Sequence, residues 1–131
     1  MTNKVLKSEA EWRASLSDEA YRVLRKKGTE RAFSNDNFEK ADGTFCCVGC
    51  DAPLFDASAK FDSGTGWPSF YQPVDPEAVD EHADNGFFMK RTEIVCATCD
   101  GHLGHVFNDG PAPTGLRYCM NGVALSFEPD E

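Results

Sequence analysis

Two pairs of cysteines constrain the fold of this chain more than any other feature of its sequence. Cys47 and Cys50 form one C-x-x-C motif, and Cys96 and Cys99 form a second one after 45 intervening residues. A tight C-x-x-C turn presents two sulfurs to one metal, and two such turns complete a tetrahedral site of four thiolates. The spacing exceeds that of a simple zinc ribbon, so the fold must bring two distant segments together. We therefore predict one structural zinc ion per chain, bound by these four cysteines.

The alternative is that these cysteines are buried or redox-active thiols without a metal. A single C-x-x-C can be a thioredoxin-like motif, but neither pair opens a helix in a βαβ pattern. The chain has six cysteines and no apolar signal sequence, which favours metal or redox chemistry over a disulfide framework. A closed four-thiolate site leaves no coordination position open, so the metal is expected to stabilise the fold and not to catalyse.

Length and charge limit the classes of function. The 131 residues and the 40% hydrophobic composition fit one globular domain over residues 1–131. The formal net charge of −9 disfavours nucleic-acid binding, because such a surface repels phosphate backbones. No apolar run approaches the roughly 20 residues that span a bilayer. We expect a cytoplasmic monomer that binds neither nucleic acid nor membrane.

The N-terminal segment, about residues 8–27, is predicted to be helical. Ser8 and Glu11 fit a capping box that begins a first helix. A second helix is expected to run from about Ser17 to Lys27. These helices precede a part of the chain with a very different character.

Beyond the helices, turn residues recur every few positions and separate short runs of β-forming residues, which is typical of antiparallel strands. The β core is predicted to span about residues 40–128, with a short helical turn at Ala78–His82. The strand candidates are Thr44–Val48, Phe87–Val95, Leu103–Phe107, Leu116–Met120 and Val123–Phe127. The sequence therefore predicts a small helical N-terminus followed by a mainly β domain.

Cys119 is the cysteine with the most reactive surroundings. If its segment is a strand, alternation puts Arg117, Cys119 and Asn121 on one face. A guanidinium beside a thiol favours the nucleophilic thiolate, and some depression of the thiol pKa from about 8.5 is needed for activity at neutral pH. The Asn121 amide can donate to a developing oxyanion. The alternative is that Cys119 is one more small buried hydrophobic residue.

Two histidines and one tryptophan are further candidates. His102 and His105 lie in a glycine-bracketed turn, and a histidine beside a nucleophilic cysteine can act as a general acid or base. A metal site formed by this pair would lack a third histidine nearby. The alternative that the two histidines pack in the core stays open. Trp67 lies in a rigid Gly-Thr-Gly-Trp-Pro turn. Taken alone, the residue fits best as a tryptophan that caps the core, while its indole face also suits a methyl or sulfur-bearing group.

The motifs CxxC, FDSGTGWPSF, CxxC, GHLGHVF and RYCMNG occur in this order. From about Trp12 to Phe127 the chain resembles the B-type methionine-R-sulfoxide reductases. The resemblance implies a mainly β fold of the β-tent type, with two antiparallel sheets, short N-terminal helices and a structural four-cysteine zinc site. It also implies reduction of methionine-R-sulfoxide, protein-bound or free, with thioredoxin or another thiol as the reductant.

The resemblance also assigns roles at the site. The cysteine of the RYC motif attacks the sulfoxide sulfur and becomes a sulfenic acid, while the two motif histidines supply protons. The asparagine binds the oxygen, the arginine favours the thiolate, and the tryptophan packs against the substrate methyl group. The implied residues are Cys119, His102, His105, Asn121 and Arg117 for catalysis, and Trp67 and Phe107 for substrate binding.

One position departs from the pattern of the family. Many members carry a resolving cysteine just before the Gly-Trp of the GWPSF motif, where this chain has Thr65. A Cys119 sulfenic acid is then resolved either by another thiol of the chain or directly by an external reductant. If four cysteines bind zinc, Cys46 is the remaining thiol, although its position beside Phe45 fits a core residue. We expect direct attack by an external reductant.

Two other classes of function use only part of these residues. A zinc-stabilised interaction module requires the two C-x-x-C motifs alone and leaves the residues around Cys119 unexplained. A zinc hydrolase using His102 and His105 lacks a third ligand at a recognisable spacing, and the chain has no H-E-x-x-H motif. The sequence therefore favours the reductase.

Overall fold

A computed structural model describes residues 7–35, 38, 40–86 and 89–130 of the chain. Within these residues, two short helices, α1 (Glu9–Ser15) and α2 (Asp18–Lys26), precede nine strands arranged in two antiparallel sheets. The strands are β1 (Gly43–Cys47), β2 (Pro53–Asp56), β3 (Lys60–Phe61), β4 (Ser69–Phe70), β5 (Val79–Gly86), β6 (Met89–Cys96), β7 (His102–Phe107), β8 (Arg117–Met120) and β9 (Leu125–Pro129). The predicted fold class is confirmed.

The helices begin as the sequence predicts. The Ser8 side chain accepts from the Glu11 backbone N–H at 3.2 Å, and Glu11 Oε1 accepts from the Ser8 N–H at 3.1 Å, which completes the capping box. Ser17 caps α2, and Lys27 ends it in the left-handed conformation at φ 56°. Within the part of the chain that the structure describes, no helix is long and apolar enough to cross a bilayer.

The two sheets share one aromatic core. The three-stranded sheet has the order β2-β1-β9, and the six-stranded sheet has the order β3-β4-β8-β7-β6-β5. Phe45 on β1 and Phe55 on β2 both pack against Phe70 on β4, with ring centroids 5.1 and 4.3 Å apart. All three rings are fully buried. Because Phe70 belongs to the larger sheet, these aromatic contacts join the sheets to each other.

One predicted element is wrong, and another begins two residues later than predicted. Ala78–His82 does not form a helical turn, because residues from Val79 onward belong to β5, which pairs with β6 at the edge of the six-stranded sheet. Polar residues on both faces of an exposed edge strand hide the alternation that marks a strand. The last strand begins at Leu125, because Gly122–Ala124 form a 3-10 turn.

Three of the other strand predictions agree with the structure to within one residue at each end, and a fourth lies partly outside the described residues. β1, β7 and β8 coincide with the predicted runs at Thr44–Val48, Leu103–Phe107 and Leu116–Met120. The predicted Phe87–Val95 corresponds to β6, and its first two residues lie outside the described residues. The short strands β2, β3 and β4 were not predicted, since two to four residues give too little alternation to detect.

Candidate active site and cysteine cluster

Cys119 lies in the interior of the six-stranded sheet. On one side β8 pairs with β4 and places Cys119 opposite Ser69, and on the other side it pairs with β7 and places Cys119 opposite His105. Directly opposed residues on antiparallel strands have adjacent side chains. The sheet register therefore sets a histidine beside the half-buried thiol.

A cavity of about 240 Å³ opens over Cys119. Its lining includes six of the seven residues predicted for catalysis or substrate binding, and they are Cys119, His105, Asn121, Arg117, Trp67 and Phe107. Thr65 also lines the cavity. Thr29 and Arg91 complete the polar part of its wall and were not predicted, because neither belongs to a motif with recognisable chemistry. The seventh predicted residue, His102, lies behind the wall.

Arg117 is held in place from two sides. Its guanidinium makes paired hydrogen bonds to Asp109, with Nε–Oδ1 at 2.9 Å and Nη2–Oδ2 at 3.2 Å. It also lies over the Phe107 ring at 4.6 Å from the centroid. The Asp109 hydrogen bond raises the pKa of Arg117, so the charge beside the thiol is permanent. Asp109, which was not among the predicted site residues, orients Arg117.

Two opposing effects act on the thiol of Cys119. Burial raises its pKa, and the neighbouring charge of Arg117 lowers it. Burial is the larger effect, so the pKa of Cys119 lies above its usual value. Arg117 therefore acts in the predicted direction, but it does not by itself bring the thiol to a thiolate at neutral pH.

His105 and His102 form two successive layers. His105 lines the cavity, and the His102 ring lies 5.4 Å from it, centroid to centroid. His102 is 3% exposed, and its Nδ1 lies 2.6 Å from Oε2 of the equally buried Glu93. A carboxylate accepts hydrogen bonds, so Nδ1 carries the proton and Nε2 is the free acceptor nitrogen. Nε2 has no hydrogen-bond partner among the described residues.

The charge of Glu93 is stabilised by Lys27, whose Nζ lies 3.4 Å from Oε1. Burial lowers the pKa of His102 despite the opposing effect of Glu93, so this imidazole is neutral. Glu93 was not predicted. The available signal was a carboxylate immediately before the apolar pair Ile94 and Val95 in a strand candidate.

The amide of Asn121 and the indole of Trp67 are both fixed by the same backbone segment. Asn121 Oδ1 accepts from the Glu30 N–H at 2.9 Å, and its Nδ2 donates to the Leu103 carbonyl at 3.0 Å. Trp67 Nε1 donates to the Glu30 carbonyl at 3.1 Å. One Nδ2–H of Asn121 is left for the cavity, and the apolar face of Trp67 forms part of the wall.

Thr65 belongs to a cluster of hydroxyl groups. Its Oγ1 lies 2.7 Å from Ser63 Oγ, and it accepts from the Trp67 backbone N–H at 3.3 Å. Ser69 Oγ in turn donates to Ser63 Oγ at 2.9 Å. These bonds stabilise the turn that presents the indole, so Thr65 has a structural function at the position of the resolving cysteine.

Cys46 lies in a different sheet from Cys119. It is on β1 of the three-stranded sheet, opposite Ser126, and is 7% exposed. Burial raises the pKa of its thiol. It does not line the cavity over Cys119.

The two C-x-x-C motifs meet as predicted. Their four sulfurs all lie within 4.8 Å of one another, with Cys47–Cys99 at 3.7 Å and Cys50–Cys96 at 3.5 Å. Zn–S bonds of about 2.3 Å in a tetrahedron separate the sulfurs by about 3.8 Å. The four side chains therefore fit a tetrahedral zinc ion. Hydrogen bonds among the sulfurs raise the pKa of Cys47 and lower that of Cys96.

The cysteine cluster connects the two sheets and the helices. Cys47 ends β1 of the smaller sheet, and Cys96 ends β6 of the larger one. Trp12 and Leu24 pack close to Gly49 in the first motif, and Leu24 also packs against Gly101 after the second. A metal bound here would hold three parts of the fold together.

Comparison with known proteins places the chain in a family. The SelR domain matches residues 16–129. A peptide methionine sulfoxide reductase MsrB from Thiobacillus denitrificans is 56% identical over 126 residues, which cover 95% of this chain and 96% of that protein. The proteins of the same name from Pseudomonas putida (strain W619) and Leptospira interrogans are 58% and 53% identical, and the alignments cover 96% and 98% of both chains. The chain therefore belongs to the SelR domain family of B-type methionine sulfoxide reductases, which are enzymes, and the resemblance of its motifs is confirmed.

Proposed function

We propose that the chain reduces methionine-R-sulfoxide to methionine with Cys119 as the nucleophile. The observation that carries the proposal is that one cavity collects a thiol, a histidine, an amide and an indole from three separate segments of the chain. The Cys119 sulfur attacks the sulfoxide sulfur, the S–O bond breaks, and methionine leaves as the thioether. The oxygen passes to the Cys119 sulfur, and the proton that the thiol gave up returns with it through His105, so that Cys119 is oxidised to a sulfenic acid as the sulfoxide is reduced to methionine.

The residues around the cavity have distinct functions in this reaction. His105 supplies a proton to the sulfoxide oxygen, because it lines the cavity directly beside Cys119. His102 acts behind it and is held by Glu93. The free N–H of Asn121 donates to the oxygen, while Trp67 and Phe107 contact the apolar side of the substrate. A wall of donors facing an apolar wall distinguishes the two epimers at sulfur.

Arg117 supplies the charge that favours the thiolate. The pKa of Cys119 is raised by burial, so the Arg117 charge is needed to keep part of the thiol ionised. The negative charge that moves from sulfur toward oxygen in the reaction remains within reach of the same cavity donors.

Zinc in the four-cysteine cluster would have a structural function only. Cys47, Cys50, Cys96 and Cys99 supply four thiolates, which is a complete set for a closed site. A zinc ion held there would supply the positive charge that allows the four sulfurs to ionise together. In the part of the chain that the structure describes, His102 and His105 belong to no cluster of three potential ligands, which disfavours a zinc hydrolase.

An external thiol resolves the sulfenic acid of Cys119. Thr65 cannot form a disulfide, and Cys46 is buried in the other sheet with a raised thiol pKa. Two thiols of thioredoxin or another reductant return Cys119 to the thiol, form one disulfide and release water. One turnover without reductant is expected to leave a sulfenic acid that dimedone labels at Cys119. A quantitative Cys46–Cys119 disulfide in peptide mass mapping would contradict this step.

The test of the reaction uses the two separated sulfur epimers of a blocked methionine sulfoxide with excess dithiothreitol. We expect the wild-type chain to reduce the R epimer only, Cys119→Ser to reduce neither, and Cys46→Ser to match the wild type. Activity that survives in Cys119→Ser would refute the assignment of the nucleophile. Folded, zinc-replete wild type that reduces neither epimer would refute the proposed reaction.

A further inference from the structure

Glu30 is a buried carboxylate that lies outside the cavity and that the proposed reaction does not use. It is 1% exposed, and among the described residues it is one of two buried glutamates. A buried carboxylate is costly unless several donors satisfy it. Glu30 follows α2 in the segment that crosses to the β core, and it contacts two distant parts of the chain.

Its carboxylate holds the turn that follows Cys119. Oε2 accepts from the Gly122 N–H at 2.8 Å, and Oε1 accepts from the Val123 N–H at 2.8 Å. Asn35 Nδ2 donates to Oε1 at 3.0 Å. These bonds fix the 3-10 turn immediately after Asn121, and they explain why the last strand begins later than the sequence predicts.

Its backbone holds two walls of the cavity. The Glu30 N–H donates to Asn121 Oδ1 and fixes which way the amide faces, while the Glu30 carbonyl accepts from Trp67 Nε1. The polar atom of the indole is thereby turned away from the substrate side. Glu30 thus connects the donor wall at Asn121 with the apolar wall at Trp67. The Glu30 carboxylate also anchors this backbone segment to the turn that follows Cys119.

We propose that Glu30 is the positioning residue that fixes the distance between these two walls and thereby sets the preference for one sulfoxide epimer. The inference rests on the proposed function. The epimers differ in which side of sulfur carries the oxygen and which carries the lone pair. Discrimination therefore requires that the amide and the indole keep a fixed relative position. The two walls come from distant segments, and they keep this relative position because Asn121 and Trp67 are both hydrogen-bonded to the backbone of Glu30.

The test replaces Glu30 by Gln, which keeps the shape of the side chain and puts an NH₂ group among three N–H donors. We expect kcat/KM for the preferred epimer to fall at least about tenfold, and the ratio between the epimers to fall with it. The Trp67 indole and Asn121 side-chain signals in ¹⁵N NMR spectra should move. Leu54→Ala is the control, because Leu54 is fully buried in the smaller sheet and does not line the cavity.

The control should lose stability but keep KM, kcat and the epimer ratio within about twofold of the wild type. If Glu30→Gln behaved like the control and left both NMR signals unchanged, the inference about Glu30 would be overturned. A wild type that reduces neither epimer would instead contradict the proposed function, so the two failures are distinguishable.

The wild type provides a check that does not depend on whether the variant folds. The amides of Glu30, Gly122 and Val123 should exchange with solvent as slowly as those in the middle of β8, because all three are held in hydrogen bonds made by Glu30. Exchange as fast as in an exposed loop would overturn the inference.

Discussion

Several side chains around Cys119 are held in place by hydrogen-bond partners that lie further from the cavity than they do. Asp109 orients Arg117, Glu93 orients His102, and the carbonyl of Glu30 fixes Trp67. Six of the residues that line the cavity could be predicted, because their types carry the chemistry. Their partners could not, because an aspartate or glutamate is common in any acidic chain and only its contacts give it a function.

The charge of Arg117 should be measurable in the reactivity of Cys119. Burial raises the pKa of this thiol and Arg117 lowers it, so the thiolate fraction, and with it the rate of alkylation, rises as the pH rises through an elevated pKa. In Arg117→Ala we expect this rise to move to higher pH, and alkylation at pH 7 to slow several-fold. The measurement is the pH profile of iodoacetamide alkylation, followed by mass spectrometry of the Cys119 peptide.

Arg117→Lys is the matched control, because it keeps a positive charge without the paired hydrogen bonds to Asp109. Its profile should lie between those of the wild type and Arg117→Ala. Identical profiles for the wild type and Arg117→Ala would show that the guanidinium does not influence the thiol.

Glu93 should determine the tautomer of His102. Glu93→Gln removes a buried carboxylate that accepts from Nδ1–H, and the loss of a charged hydrogen bond of this kind costs about 1–3 kcal/mol in the free energy of unfolding. We expect Nδ1 of His102 to be protonated in the wild type, and the variant to show a mixture of tautomers and a lower kcat. ¹⁵N NMR of the imidazole nitrogens and steady-state kinetics measure both.

The control for Glu93 is His82→Gln. His82 is half-exposed and its Nδ1 lies 4.0 Å from the same carboxylate, so its loss should change neither tautomer nor kcat. An unchanged His102 tautomer in Glu93→Gln would remove the carboxylate from the proposed proton supply.

At the scale of elements, the close approach of β7 and β8 brings His105 to Cys119. Gly104 precedes His105 and is paired with Met120, and a Cβ at Gly104 would overlap the carbonyl oxygen of Cys119. The backbone of β8 cannot shift to relieve this overlap, because β8 is also paired with β4 on its other side. The glycine is therefore required by the distance between the strands.

Gly104→Ala should destabilise the fold by about 3 kcal/mol or more, because the backbone on both sides is fixed and the overlap cannot be relieved by a side chain. Gly115→Ala is the control. Gly115 has φ 74° but open space around its Cβ position, so it should lose only the cost of a left-handed alanine, about 1–2 kcal/mol. Urea unfolding of both variants measures the difference, and equal losses would contradict the overlap.

Elements whose residues show one clear periodicity were predictable, and the exceptions have physical reasons. The capping box at Ser8 and the strands around Cys47, His105 and Cys119 follow from local sequence. β5 was missed because an exposed edge strand carries charge on both faces. Val123 alternates with Leu125 but belongs to a turn, because a carboxylate 93 residues away binds its N–H. Nothing in the sequence around Val123 indicates such a long-range contact.

At the scale of the whole molecule, the cysteine cluster and the aromatic core connect the same two sheets. The cluster joins the ends of β1 and β6, and Phe45, Phe55 and Phe70 join the sheets elsewhere. The spacing of the cysteines predicted the cluster, because two C-x-x-C motifs commonly place four thiolates in a tetrahedral arrangement. The aromatic contacts could not be predicted, since they depend on how the sheets are placed.

Loss of the metal should unfold the domain. Structural zinc contributes about 10–16 kcal/mol in small zinc domains, which matches or exceeds the roughly 5–15 kcal/mol that a whole domain has in reserve. Cys47→Ser should therefore bind less than one zinc per chain and lose its cooperative thermal transition. Elemental analysis and calorimetry measure the two effects.

Cys46→Ser is the matched control for Cys47→Ser. Cys46 is the neighbouring thiol on β1, and its sulfur does not belong to the cluster. It should keep one zinc per chain and a melting temperature close to that of the wild type. A Cys47→Ser chain that melts like the wild type would show that the cluster does not stabilise the fold.

The interior position of β8 also determines the order of events in turnover. Strands on both sides hold the backbone of Cys119, so its sulfur cannot swing out to meet a partner. A reducing thiol must enter the same 240 Å³ cavity that the methionine product has just left. The two substrates therefore exclude each other, and initial-rate plots at several reductant concentrations should give parallel lines, as in ping-pong kinetics.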